Sequence, residues 1–326
     1  MSKCKVVIST QKTHYKLGDT VKGQVSVEVD KECKCDALVL KKLWSTHGKG
    51  NRSSGGSEEL KLFQGVWQPG TYTYAFSFVL DEGPYSYHGH YINIDWYLNA
   101  RADIPWAIDA KDELEIILEK DEANPVENVS GYQLHESGEN PVSIHNIGLL
   151  KYLPLLFVVV GVLLMVFEEM PIFGAIFAVA GSVAFFKIIQ SSIAERKLGD
   201  VECLVDVANL SAGDRVNFTI SFTPKTNIKI NSAHVKLLGQ EVAVSGSGTN
   251  TTTHTYTFHD DKIPILAQNS FSSGIPVRDK HILRIPDNAA PSFIVPDNKI
   301  IWTVVIEIDI PRWPDWINSL SIRVKP

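Results

Sequence analysis

Polar and apolar residues alternate in two similar segments, one in each half of the chain. The segments are YKLGDTVKGQVSVEV at 15–29 and LSAGDRVNFTISFTP at 210–224. Each has a Gly-Asp turn followed by apolar residues at every second position, a period typical of a strand that buries one face. The two turns are Gly18-Asp19 and Gly213-Asp214. The pattern predicts a half-buried strand at the same place in both halves.

A second pair of alternating segments follows later in each half. They are YINIDWYLNARADIPW at 91–106 and KIIWTVVIEIDIPRW at 299–313. Trp96 and Trp302 stand 206 positions apart, and the Asp-Ile-Pro sequences that follow them have the same separation. Two repeated features in the same order indicate a duplication. We therefore predict an all-β chain with two tandem immunoglobulin-like sandwiches, at 1–120 and 198–326.

The alternation gives way to a continuous apolar run in the middle of the chain. Residues 147–167 carry one charge, Lys151, and as a helix would reach ~31 Å, enough to cross the hydrocarbon of a bilayer. A second apolar run occupies 170–189. Between them lie Glu168, Glu169 and Pro171, which suit a solvated turn and the start of a new helix. The pattern predicts a transmembrane helical hairpin at 147–189, with a buried soluble hairpin as the alternative.

The charges around the hairpin predict its orientation. Lys151 precedes the first span, and Lys187, Arg196 and Lys197 lie in or after the second, whereas the turn is acidic. Positive residues mark the cytoplasmic side. Both β domains are therefore expected in the cytoplasm, with the turn on the opposite side.

Small residues predict how the two spans pack. Gly174, Ala178 and Gly181 fall on one helical face, which the first span is expected to approach near Gly161. The same face offers an alternative, a homo-oligomer formed through the hairpin.

Polar segments connect these parts. Residues 121–146 contain Asn-Pro twice and predict a flexible linker, while SSIAERKLGD at 191–200 continues the second helix up to a glycine. The Gly- and Ser-rich stretches 46–59 and 245–255 predict mobile loop tips.

Composition narrows the functional classes. The chain has 326 residues, a net charge of −6 and a pI of about 5.9, which does not suit a nucleic-acid binder. Its four cysteines are too scattered for a disulfide scaffold and are expected as reduced thiols. The start, MSKCKVVIST, does not resemble a signal peptide.

Catalytic motifs are missing from the sequence. It contains no HExxH, GxSxG, Walker loop or GxGxxG after a strand, so no catalytic, cofactor-binding or metal-binding residue is predicted, and no cofactor. One alternative stays open. His88 and His90 lie on the same side of a turn and would chelate a metal if His259 or an acid joined them.

The motifs taken together resemble the arrestin superfamily. The first Gly-Asp segment with VLDEGPYSYHGHYINIDWYLNA looks like the arrestin N-terminal domain, and AGDRVNFTISF with IPDNAAPSFIVPDNKIIWTVVIEIDI looks like the C-terminal domain. The resemblance covers residues 3–120 and 200–326 and implies two sandwiches of seven or eight strands joined at a hinge. The hairpin stands where arrestins have a short linker, and no PPxY motif occurs.

These features predict a non-enzymatic, membrane-anchored, arrestin-like adaptor or scaffold. Its expected partners are the lipid bilayer and membrane or membrane-associated proteins, with no nucleic acid. Two alternatives compete with it: an integral-membrane enzyme or metal-dependent effector built on His88 and His90, and a structural, oligomeric membrane subunit.

Overall fold

A computed structural model describes residues 4–120, 153–166, 171–206 and 209–325. The predicted linker at 121–146 and the turn carboxylates Glu168 and Glu169 lie outside these residues, as does Lys151. We call residues 4–120 the first unit and residues 201–325 the second unit.

The first unit consists of strands in two sheets. One sheet has the order β1-β3-β6, and the other has the order β2-β9-β8-β4-β5, with β7 paired to β8. Strand β2 runs parallel to β9, and the other pairs are antiparallel. The strands are β1 (Cys4–Thr10), β2 (His14–Lys16), β3 (Thr20–Val29), β4 (Cys33–Gly48), β5 (Ser54–Trp67), β6 (Gly70–Val79), β7 (Tyr87–His88), β8 (Ile92–Asp103) and β9 (Ala110–Glu119).

The second unit repeats this strand order. Its sheets have the orders β10-β12-β17 and β11-β20-β19-β14-β15, with β18 paired to β19 and β13 paired to β16. Strand β11 runs parallel to β20, as β2 does to β9. The strands are β10 (Val201–Val205), β11 (Asn209–Leu210), β12 (Arg215–Phe222), β13 (Ile228–Ile230), β14 (Ser232–Ser245), β15 (Thr252–Leu266), β16 (Asn269–Phe271), β17 (Val277–Arg284), β18 (Phe293–Val295), β19 (Asn298–Asp309) and β20 (Trp316–Val324).

Side-chain hydrogen bonds repeat along with the strands. The indole N–H of Trp96 donates to the carbonyl of Pro84 at 2.8 Å. The indole N–H of Trp302 donates to the carbonyl of Ala290, also at 2.8 Å. Each bond joins residues 12 positions apart, and both members of the second pair lie 206 positions after those of the first. The repeated segments seen in the sequence thus occupy equivalent places in the two units.

The inward faces of the sheets supply the cores. In the first unit, buried residues of β3, β4, β6, β8 and β9 belong to one apolar cluster, and in the second unit β12, β14, β17, β19 and β20 do the same. Burying alternate side chains between stacked sheets is the main stabilisation of such a fold. The predicted all-β class is confirmed at this level: the chain is mainly β, in several sheets consistent with sandwiches.

Two helices lie between the units, α1 (Leu153–Val166) and α2 (Pro171–Leu198). In the described part of the chain, neither helix is both long enough and apolar enough to cross a bilayer. The transmembrane hairpin therefore stays a prediction.

The end of α2 is docked into the second unit. Ala194 and Leu198 are buried in the second core, and the Trp316 indole N–H donates to the Glu195 carboxylate at 3.1 Å. Gly199 ends the helix with φ +79°, a left-handed conformation that favours glycine. The helix and the second unit are thus fixed to each other, and the helix ends at the glycine stop that the sequence predicts.

Candidate functional site

One buried carboxylate of the second unit is held entirely by the first unit. Glu241 of β14 is 1% exposed, and its Oε1 accepts the Tyr87 hydroxyl at 2.8 Å and the His90 N–H at 3.0 Å. Its Oε2 accepts the N–H groups of Tyr91 at 2.6 Å and Ile92 at 3.0 Å. Several aimed donors compensate the loss of water around a buried anion.

The corner that receives this carboxylate needs a glycine. A Cβ atom on Gly89 would overlap Glu241 Oε1, so the backbone approaches the carboxylate closely only because the side chain is absent. Burial, and then the hydrogen bond to Glu241, raises the pKa of the Tyr87 hydroxyl, which keeps it a donor.

A reciprocal contact reaches from the second unit into the first. The buried Asn298 side-chain amide donates to Thr46 Oγ1 at 3.0 Å and to the Asn51 carbonyl at 2.7 Å. In the first unit, the backbone groups that bind Glu241 lie at or just before the start of β8. In the second unit, Asn298 lies at the start of β19, the equivalent strand.

The two contacts are related by the internal repeat. Thr46 pairs with Ile94 in the first unit, and Glu241 pairs with Ile300 in the second. Because Ile300 lies 206 positions after Ile94, Thr46 and Glu241 are equivalent positions. The units thus meet through the same region of each, as in an isologous dimer interface.

The loops predicted as mobile tips belong to this interface. The Asn51 N–H donates to the Val244 carbonyl at 2.8 Å, and its side chain exchanges two hydrogen bonds with the backbone of Gly246, at 2.8 and 3.1 Å. The prediction of mobile tips at 46–59 and 245–255 did not include these hydrogen bonds between the two loops, and the mobility itself stays a prediction. Gly and Asn residues favour a turn, but the sequence alone does not show whether water or the backbone of another loop pairs with the hydrogen-bonding groups of that turn.

Apolar contacts complete the interface. Ala243, Phe293 and Ile300 of the second unit are buried in the apolar cluster of the first. The rings of Trp44 and Phe293 meet edge to face with centroids 5.8 Å apart. We call the contacts of Glu241, Asn298, Asn51 and these apolar residues the inter-unit joint.

A second polar cluster lies beside the joint. Asp95 of β8 is 1% exposed, with Oδ2 2.6 Å from His47 Nε2 and Oδ1 2.7 Å from His88 Nε2. One ligand atom from each of His88, Asp95 and Glu115 lies within 4.8 Å of the other two. We call His47, His88, Asp95 and Glu115 the histidine–carboxylate cluster. Imidazoles and carboxylates gathered in this way could hold a metal ion.

The histidines considered in the sequence analysis occupy three different places. His88 belongs to the cluster, whereas the His90 ring stacks on Tyr256 with centroids 4.1 Å apart. The His259 ring lies against Trp302, with centroids 5.4 Å apart. His90 and His259 therefore do not complete a site around His88. The sequence analysis missed His47, Asp95 and Glu115, because only strand pairing brings them to His88.

The predicted helix-packing residues come together between α1 and α2. A Cβ atom on Gly161 would lie 2.6 Å from the Gly174 carbonyl oxygen and 3.0 Å from Ala178 Cα. A Cβ atom on Gly181 would lie 2.8 Å from the Pro154 carbonyl oxygen. The glycines thus permit close backbone contact. Within one chain, each helix therefore covers the small-residue face of the other. The same face cannot at the same time contact a second chain, as the oligomer alternative would require.

The Gly-Asp turns take equivalent conformations. Gly18 and Gly213 have φ values of +88° and +85°. In each turn the aspartate accepts a backbone N–H three residues earlier, from Lys16 to Asp19 at 3.0 Å and from Ser211 to Asp214 at 2.7 Å. These residues fix the approach to β3 and β12 and have a structural role. Pro171, the third predicted residue of the hairpin turn, begins α2.

No disulfide joins the four cysteines, all of which lie among the described residues, and Cys4, Cys33 and Cys35 are buried. Burial raises the pKa of Cys35 to about 12, with the neighbouring thiols Cys4 and Cys33 adding to the shift. Burial also raises the pKa of Cys203 to about 12.

We expect these two thiols to resist alkylation in the folded protein, because the thiolate is the reactive form. At pH 7.5, N-ethylmaleimide should modify Cys35 and Cys203 only after unfolding in guanidinium, as read by mass spectrometry. In the folded state the raised pKa favours the neutral form of each thiol. The resulting contribution to the free energy of unfolding is fully present below pH 9 and is lost as the pH rises towards 12. Rapid labelling of Cys35 at pH 7.5 in the native state would contradict this account.

No protein-family model matches this chain, and no curated protein matches it.

Proposed function

We propose that this protein is a membrane-anchored, non-enzymatic adaptor of the arrestin type. Its two β units would be immunoglobulin-like sandwiches on the cytoplasmic side, and α1 and α2 would be the described parts of a transmembrane hairpin at 147–189. The observation that carries the proposal is the large, exposed apolar surface around both helices, attached to a pair of units that are joined to each other.

The apolar surface of the helices supports contact with lipid. Large hydrophobic side chains are exposed on several sides of the helix pair, and apolar patches of this kind mark membrane or protein contacts. They include Leu153, Leu155, Leu156, Phe157, Val159, Val160, Val162, Leu163 and Val166 of α1 and Ile172, Phe173, Ile176, Val179, Val183 and Phe186 of α2. A helix that is apolar on all sides is typical of a membrane span or a deeply buried core.

The docked end of α2 supports a positioning role for the hairpin. Besides the Glu195–Trp316 bond, the Lys197 ammonium lies 4.3 Å from the centroid of the Trp313 ring. Movement of the hairpin would therefore be transmitted to the second unit, and the inter-unit joint would carry it to the first. Anchoring of this kind raises the effective concentration of the units at the bilayer.

Strand edges offer a mode of partner binding. Strands β5 and β15 lie at the ends of the two larger sheets. An edge strand presents unpaired backbone groups that bind an extended peptide by strand addition. This recognition mode requires no catalytic residue.

Flotation with lipid vesicles tests the anchor. We expect the full chain to float with the vesicles and to resist carbonate extraction. The double variant Val160→Glu/Val179→Glu should neither float nor resist carbonate extraction. A charged side chain at the centre of a span raises the free energy of membrane insertion by about 2.5–3.5 kcal/mol. Ile108→Glu is the matched control, since Ile108 is an exposed apolar residue of the first unit and should float unchanged. A full chain that stays in aqueous buffer without detergent would refute the anchor.

Single-cysteine labelling in intact cells tests the compartments. In a cysteine-free background, an impermeant maleimide should label Glu169→Cys but not the exposed positions Glu59→Cys in the first unit or Asp287→Cys in the second. Labelling of one unit and not the other would contradict a hairpin. A purified complex that contained no membrane or membrane-associated protein would contradict the adaptor role.

A further inference from the structure

We propose that the histidine–carboxylate cluster binds one divalent transition-metal ion, Zn²⁺ in the first instance. The donors would be the Nε2 atoms of His47 and His88 and carboxylate oxygens of Asp95 and Glu115. This site does not depend on the proposed adaptor role and is separate from the helices.

Strand pairing places the four side chains on one face of the larger sheet. His47 of β4 and His88 of β7 both pair with Asn93, from opposite sides of β8. Asp95 follows two positions along β8, on the same face as Asn93. Glu115 comes from β9, which pairs with β8 on the same side as β7. Four strands of a rigid sheet thus each contribute one ligand, which is how a metal site is held in place.

The distances and donors suit zinc. Zinc binds imidazole nitrogen and carboxylate oxygen at about 2.0–2.2 Å, so ligand atoms around it stand roughly 3.3 Å apart in a tetrahedron. The separations from Asp95 to the two histidines are 2.6 and 2.7 Å, and one ligand atom each of His88, Asp95 and Glu115 lies within 4.8 Å of the other two. His47 joins this group through its contact with Asp95. The required shifts fall on exposed side chains, since His88 is 56% exposed, while the buried Asp95 stays fixed.

Binding of the ion replaces two hydrogen bonds. Each neutral imidazole would carry its proton on Nδ1 and bind the metal through Nε2, so the ion occupies the place between Asp95 and the histidines. The donor set contains no thiolate, which distinguishes it from the usual structural zinc sites.

The surrounding charge favours a cation. The carboxylates of Asp95, Glu115 and Glu113 act electrostatically on the hydroxyl of Tyr97 beside the cluster, as does the guanidinium of Arg52. Three carboxylates and one guanidinium thus contribute to the electrostatic environment of this hydroxyl. A divalent ion would balance the two ligand carboxylates.

The position of the cluster couples the ion to the inter-unit joint. His88 directly precedes Gly89, in the corner that binds Glu241, and His47 precedes the loop that contains Asn51. A metal bound to both histidines would link the two segments by which the first unit holds the second. Binding should therefore raise the thermal stability of the folded chain, because the ion binds the folded state selectively.

Metal titration of the full chain tests the site. The protein is purified in detergent with a tag that lacks histidine, stripped with a chelator, and titrated with Zn²⁺ and with Co²⁺ as a spectroscopic probe. We expect one ion per chain and a Tm that rises with Zn²⁺ concentration. His88→Ala and Glu115→Gln should each weaken binding by roughly 100-fold or more, since even removal of groups that only orient a ligand costs 10–100-fold.

His14→Ala is the matched control. His14 lies 2.7 Å from Glu119, so it is also a histidine paired with a carboxylate, but on β2 and outside the cluster. This variant should bind the ion as the unaltered chain does. Two outcomes would overturn the proposal: less than one ion bound per chain when the titration with Zn²⁺ reaches its plateau, or equal binding by the His88→Ala and His14→Ala proteins. Both altered side chains of the cluster are exposed, so the variants are expected to fold.

Discussion

Glu241→Gln is expected to lower the free energy of unfolding by roughly 2–6 kcal/mol, because replacing one carboxylate oxygen by NH₂ leaves two buried donors without an acceptor, at about 1–3 kcal/mol each. The substitution keeps the volume of the side chain but removes its charge. Glu241 accepts three backbone N–H groups and one hydroxyl, so the new amide NH₂ would face donors of the first unit. Buried donors left without an acceptor account for the loss.

The measurement is denaturant unfolding, with protease susceptibility of the loop around Asn51 as a probe of the joint. Opening of the joint should expose this loop, which the second unit covers through Val244 and Gly246. Tyr87→Phe removes one donor and leaves the backbone donors in place, so it should cost about 1 kcal/mol.

Glu59→Gln is the matched control for this prediction. Glu59 is 60% exposed and lies 3.2 Å from Lys41, an ordinary surface ion pair. Its loss should change stability by about 0–1 kcal/mol. Equal effects of the Glu241 and Glu59 substitutions would show that the buried carboxylate does not hold the units together.

Local patterns were sufficient to predict the repeated strands that follow the Gly-Asp turns and those that carry Trp96 and Trp302. The period of two around Trp96 and Trp302 is set by residues that are near in sequence, and both side chains are buried where the pattern places them. The continuation of α2 to the glycine stop at Gly199 was predictable for the same reason. These features require no knowledge of distant contacts.

The inter-unit joint was harder to predict from the sequence than these strands. Glu241 occupies an inward position of β14, between the buried residues Gly239 and Ala243, so a charge stands where the alternation calls for an apolar side chain. This mismatch is a usable signal of a buried polar contact. It does not identify the donors, because they lie about 150 positions away in the first unit.

The sequence contains no comparable mismatch at the residues of the histidine–carboxylate cluster. Asp95 stands on the outward face of β8, where a polar residue is expected, and is buried by the imidazoles of His47 and His88 from neighbouring strands. Only the register of β4, β7 and β8 brings the three together. The same limit explains why His90, two positions from His88, was grouped with it in the sequence analysis. A two-residue spacing does not by itself fix the partner of either ring.

Trp302→Ala should be about as damaging as the loss of Glu241, with an expected cost of roughly 3–5 kcal/mol for a buried tryptophan. The indole is almost fully buried, packs edge to face against Phe258 at 5.3 Å between centroids, and donates to the Ala290 carbonyl. Truncation leaves a cavity and an unpaired carbonyl at the corner that precedes β18. Hydrogen exchange resolved by segment should show lost protection in β14 and β19.

Because of the internal repeat, the same experiment can be made in the first unit. Because Trp96 makes the equivalent bond in the first unit, Trp96→Ala should cost a similar amount but reduce protection in β4 and β8 first. Trp106→Ala is the control, since that indole is fully exposed and its loss should change stability by about 0.5 kcal/mol or less. If both core variants lost protection evenly across the two units, the joint would transmit the damage and the units would unfold as one. If each variant affected only its own unit, the hydrogen bonds of Glu241 would have to break before global unfolding, and the joint would be the weaker contact.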